Sequence, residues 1–150
     1  MNHQKQNIMK NILLAITLLL LGFSNSNAQE DTFELTVEIT GMEADKGKVF
    51  LALYNSEDTF LKSSKTTKGT NAIVKDGKAI AYFKGLKKGE YAVSLFHDEN
   101  DNGKMDTKIF GIPKEPYGFS NNAKGFMGPP KFKDAKFTVE TNKSISIEIN

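Results

Sequence analysis

The sequence contains no cysteine, no tryptophan and no arginine, and only two histidines. Without cysteine there are no disulfides, no thiol nucleophile and no lipid-modified cysteine at an export cleavage site. Without arginine the chain lacks the planar fork that grips phosphates and base edges in pairs. Long apolar runs are also scarce. The one extended example, residues 12–21, is about half of what a bilayer-spanning helix needs. No Gly-x-Ser-x-Gly elbow is present for a serine nucleophile.

The short apolar run has a context of its own. Lys5 and Lys10 precede it, and the small polar stretch Ser24-Asn25-Ser26-Asn27-Ala28 follows it. That is the three-part grammar of a secretory signal peptide, with cleavage expected after Ala28. Residues 1–28 are therefore read as the leader and 29–150 as the mature domain. The expected location is periplasmic or extracellular, with no membrane span in the mature chain. Removing the leader takes two of the 20 lysines, leaving 18 against 18 acidic residues. A net charge of zero argues against nucleic acid as a partner and against electrostatic docking on a membrane.

The mature chain reads as strands. Phe33, Leu35, Val37 and Ile39 alternate with polar residues, as a half-buried strand requires. Residues 48–54 are nearly continuous apolar sequence, which suits a central strand. Residues 71–74 and 78–83 flank Asp76-Gly77, a hairpin signal because the turn needs positive φ. Residues 91–97 place Tyr91, Val93 and Leu95 on one face, with His97 in register at the end. Residues 136–140 and 144–149 close the pattern. The expected fold is all-β, a single antiparallel β-sandwich of about seven strands. A long irregular loop is expected between its sixth and seventh elements, and no helix.

Two loops carry the candidate chemistry. From Asp98, oxygen-bearing side chains recur at Asn100, Asn102 and Asp106, with Gly103 sixth and the Lys104 carbonyl seventh. This is the spacing of a calcium loop, in which glycine allows the sharp turn. The twelfth position is Ile109, where a bidentate glutamate is expected, so Glu99, Asp101, Glu115 or water would have to complete the shell. Two core carboxylates imply a weak site, on the order of 10⁻⁴–10⁻³ M. Asp, Asn and Gly also build turns without any metal, and a hydrogen-bonded turn is the competing reading.

The second loop, residues 107–133, holds Tyr117, Phe119, Phe126 and Phe132. A connection of this length in a small domain is usually functional. Tyr117, Phe119 and Phe126 are the candidate ligand-binding residues. The alternative is that the aromatics fold down and plug the open end of the sandwich, because exposed they form a costly surface.

His97-Asp98-Glu99-Asn100, Asn102-Gly103-Lys104 and Asp106, followed by Gly111-Ile112-Pro113 and residues 117–123, resemble a bacterial family of small exported proteins of unknown function. Gly128-Pro129-Pro130, Phe132 and Asp134-Ala135 fit the same family. The resemblance implies an exported single-domain β-sandwich with no activity to carry over. Residues 86–106 are similar, over a shorter span, to prealbumin-like sandwich modules, which are structural or binding domains. The expectation is thus an exported non-catalytic protein with a structural calcium loop and an unknown protein or glycan partner in the envelope. The alternatives are a carbohydrate- or peptide-binding accessory domain using the aromatic loop 110–132, and a small hydrolase using His97, Asp98 and Glu115.

Overall fold

In the computed structural model, which describes residues 31–149, the chain forms eight strands. These are β1 (Phe33–Thr40), β2 (Lys48–Tyr54), β3 (Lys68–Ile73), β4 (Lys78–Leu86), β5 (Gly89–Asp98), β6 (Tyr117–Phe119), β7 (Phe137–Val139) and β8 (Lys143–Glu148). The expected leader lies outside the described residues. One sheet has the order β4-β1-β8, and the other runs β3-β2-β5-β6 with β7 also paired to β5. The alternating residues of both sheets meet in one buried cluster. Leu35, Val37, Ile39, Ala81, Phe83 and Ile147 come from the first sheet, and Val49, Leu51, Leu53, Val93 and Leu95 from the second. Burial of these side chains, each contributing about 1.5–3 kcal/mol, is the main term holding the fold together in the absence of disulfides.

The structure corrects the expected pattern in four places. The count is eight strands rather than seven, because Tyr117–Phe119 inside the long loop pairs with Ser94–Phe96 of β5. The pairing is not wholly antiparallel, because β8 runs parallel to β1, with Val37 beside Ile145 and Ile39 beside Ile147. The chain reaches β8 from β7 in the other sheet, so no hairpin forces it to reverse beside β1. The Asp76-Gly77 turn is present, with φ of 53° and 68°, but it joins the two sheets and closes only a Lys75–Lys78 bridge. Finally, among the described residues one α-helical turn is present, α1 (Phe132–Ala135), which buries Phe132 and Ala135.

That inter-sheet turn is held from outside. Asp45 accepts hydrogen bonds from the backbone N–H groups of Gly77 (2.7 Å) and Asp76 (2.8 Å). These bonds, Gly77's first, hold the Asp45 carboxyl below its ordinary value of 3.8. A depressed folded pKa means stability that is present above the ordinary value and lost as pH falls through the folded one. Asp45→Ala is therefore expected to melt slightly below the wild type at neutral pH. The two melting curves should converge on acidification, as a pair of thermal melts across the acid range would record. A constant gap would assign the effect to packing.

Candidate functional site

Strand β5 ends at the loop that the sequence singled out. Its last two residues, His97 and Asp98, face Val49 and Lys48 of β2, and both are fully buried. Their burial depends on a close approach by Gly47, whose φ is +66°. A Cβ at that position would lie 1.9 Å from the Asp98 carbonyl oxygen. Only glycine supplies both that backbone angle and that clearance.

A buried carboxylate must be answered by donors, and Asp98 is answered by its own loop. Its Oδ2 accepts the Gly103 N–H at 2.6 Å and its Oδ1 accepts the Asn102 N–H at 3.1 Å. The asparagines continue the pattern. Asn100 Oδ1 accepts the Asn102 N–H at 3.1 Å, and Asn102 Oδ1 accepts the Lys104 N–H at 2.8 Å, each two residues on. Their amide nitrogens both donate to Asp106, Asn100 to Oδ2 at 2.7 Å and Asn102 to Oδ1 at 3.2 Å. Asn100, Asn102 and Asp106 thus converge, as the spacing predicts, and Asp98 anchors the loop beneath them. Lys104 enters the network through its backbone N–H.

The three residues considered for a missing metal ligand are each engaged elsewhere. Glu99 pairs with Lys46 at 3.0 Å and Asp101 with Lys48 at 2.8 Å. Glu115 is buried and clamps the loop, accepting the Glu99 N–H (3.2 Å) through Oε1 and the Asp106 N–H (3.0 Å) through Oε2. Among the described residues no three His, Cys, Asp or Glu side chains are grouped to hold a metal. The oxygens that the spacing assigns to a cation at this loop are those of Asp98, Asn100, Asn102, Asp106 and the Lys104 carbonyl. Each ionised carboxylate has about four lone-pair sites, so the hydrogen bonds to Asp98 and Asp106 leave each of them acceptor capacity.

His97 closes the inner face of β5. Its Nε2 lies 2.7 Å from the Lys46 carbonyl, so that nitrogen carries the proton and donates. Nδ1 is buried without a hydrogen-bond partner, with Glu99 Oε1 4.0 Å away. The ring is fully enclosed and offers no atom to a substrate at the surface.

The aromatic loop divides into two populations. Phe119 is buried and packs against Phe60 at a centroid distance of 6.4 Å, and Phe60 in turn packs against Phe132 at 5.7 Å. Tyr117 is 41% exposed, and Phe126 is 95% exposed. The structure brings Tyr117 and Phe119 together, ring centroids 5.9 Å apart and lining one groove that Phe126 does not line, and Phe119 also belongs to a second, smaller core with Ala92 and Ala135. Two further residues are just as exposed and escaped the sequence reading: Phe110 at 97% and Met127 at 93%. Phe110 lies in a 3-10 turn, Ile109–Gly111, within the irregular loop. With Phe96, Met105, Ile112 and Tyr117, these two residues line a groove of about 690 Å³ over the outer face of β5 and β6.

Ser120, Asn121 and Asn122 fasten this loop to the fold, a role the sequence reading missed. Buried Ser120 accepts the Val93 N–H at 2.9 Å and donates to the Ala135 carbonyl at 2.6 Å. Asn121 donates to the carbonyls of Asp134 and Lys136, and Asn122 accepts the Glu148 N–H. Asn121 and Asn122 sit at φ of 60° and 49°, a conformation asparagine tolerates better than most residues.

A helix-poor, two-sheet β protein with a clamped acidic loop and an aromatic loop stitched to one sheet is the class these features define. Residues 37–148 match the family model described as an uncharacterized protein conserved in bacteria (DUF2141), and the chain belongs to that family. No curated protein matches the chain. No solved structure matches it either.

Proposed function

We propose that this protein is an exported, non-catalytic binding module, built as a β-sandwich, whose 98–106 loop is a structural calcium site beside an aromatic ligand surface. The observation that carries the reading is the near-full exposure of Phe110 and Met127, which line a groove with Tyr117 and Ile112, and of Phe126, next to Met127 in the chain. Water-exposed apolar side chains of this size contribute nothing to the core, and patches of them mark interaction sites. The enclosure of His97 weighs against the hydrolase alternative, since an acid–base group must come within hydrogen-bond reach of its substrate. A glycan or peptide ligand fits the groove in size.

Two melts test this reading. The triple variant Phe110→Ser/Phe126→Ser/Met127→Ser is expected to melt within about 6 °C of the wild type, because each solvent-exposed substitution costs within about 0.5 kcal/mol. A large drop would mean that these side chains are packed, and the binding reading would fail. For the loop, chelator followed by calcium at 10 mM, added at ten to a hundred times the expected dissociation constant, should raise stability by about 1.4–2.7 kcal/mol. Magnesium, which demands octahedral geometry, should do less. Equal curves with chelator and with calcium would reduce the loop to a hydrogen-bonded turn.

A further inference from the structure

The stretch of chain that carries the exposed apolar residues also carries charge. Between residues 104 and 133 there are six lysines (104, 108, 114, 124, 131 and 133) and only two acidic residues, Asp106 and Glu115. All six lysines are exposed. Ion pairs form elsewhere, at Lys46, Lys48, Lys84, Lys88 and Lys136 among others. Both acidic residues are already occupied, Glu115 by backbone N–H groups and Asp106 by asparagine amides. A chain that is neutral as a whole once its expected leader is removed thus concentrates unpaired cations on one loop.

The apolar residues stand at the tips of that same loop. Phe110 has φ of 66° and Met127 φ of 56°, left-handed backbone that is unfavourable for bulky side chains. Glycine would relieve that strain, yet both positions hold large apolar residues and leave them in water. Strain of this kind, held at exposed positions, points to a use outside the fold.

From this we infer that the two tips, Ile109-Phe110 and Phe126-Met127, insert into the surface of a lipid bilayer bearing anionic headgroups, with the flanking lysines on the phosphates. The inference rests on the binding-module reading and names its partner. The lysines favour a bilayer over a protein, because protein interfaces are depleted in lysine. Solvated apolar tips suit a fluid receiver that closes around them, and lysines near the surface add attraction that salt screens.

The test is cosedimentation of the full chain with phosphatidylcholine vesicles and with vesicles containing about a third phosphatidylglycerol. Binding to the anionic vesicles should be at least about tenfold stronger and should weaken with added salt. Phe110→Ser/Phe126→Ser/Met127→Ser should lose at least about tenfold of it, and Lys108→Glu/Lys124→Glu should lose the preference for anionic lipid. Wild type and variants share residues 1–30, so their difference reports the loop alone. Equal binding by wild type and triple variant overturns the inference, and so does indifference to both vesicles. In either case an unchanged melt of the triple variant leaves the surface to a glycan or peptide, whereas a lowered melt removes the binding-module reading itself.

Discussion

Asp98→Ala is expected to destabilise the protein by about 3 kcal/mol and to abolish any calcium-dependent gain in stability. The cost follows from what the carboxylate answers. Its two oxygens accept the N–H groups of Asn102 and Gly103, and the residue is fully buried at the end of β5. Alanine leaves both donors without their partner and opens a void beneath the loop. Asp98→Asn keeps one acceptor and the volume, so it should cost about half as much. Chemical denaturation of the three proteins, each with chelator and with calcium, separates the two roles. A full loss of stability in chelator alone would show that Asp98 is first a hydrogen-bonding anchor. An Asp98→Ala protein as stable as the wild type would contradict the network described above.

Most of the core was legible because it follows period two. The buried set Leu35, Val37 and Ile39, and the set Tyr91, Val93, Leu95 and His97, fall where alternation places them. What escaped was set by long-range pairing. Strand β6 is three residues long and has no pattern of its own, and it exists because β5 offers a free edge at Ser94–Phe96. The parallel partnership of β1 and β8 joins segments at opposite ends of the domain, which no local window can see. Asp76-Gly77 was read correctly as a turn but assigned the wrong consequence. Turn chemistry fixes the reversal and says nothing about whether the flanking strands share a sheet.

The candidate site shows the same division. The convergence of Asn100, Asn102 and Asp106 was written in the spacing, because a tight turn closed at a glycine brings alternate side chains together. Glu115 was named as a ligand candidate and instead spans the loop, bonding the N–H groups of Glu99 and Asp106. Only the pairing of β6 with β5 brings it there, through residues such as Pro116, whose carbonyl accepts the His97 N–H at 2.9 Å. Hydrophobicity alone does not separate Phe119, on a strand, from Phe126, in a bend. The acidic loop and the aromatic loop are thereby one construction, with Glu115 as the shared member.

Gly47→Ala should be the most damaging single-methyl change in this region. The new Cβ would sit 1.9 Å from the Asp98 carbonyl oxygen and 2.9 Å from the Glu99 Cα, both backbone atoms that no side-chain rotation can move aside. The strand end carrying His97 and Asp98 must then shift away from β2, which puts the Lys46–His97 hydrogen bond and the Asp98 anchor at risk together. Adding the cost of a left-handed alanine, the loss is expected to reach about 3–5 kcal/mol, or roughly 12–20 °C in Tm. Gly103→Ala is the control. Gly103 has φ of +76°, yet nothing lies within 4 Å of where its Cβ would be. It should therefore register the backbone cost alone, about 1 kcal/mol. The difference between the two melts measures the close approach itself. Equal losses would mean that β2 and the end of β5 can part freely, and the acidic loop would then rest on its own hydrogen bonds instead of on the sheet beneath it.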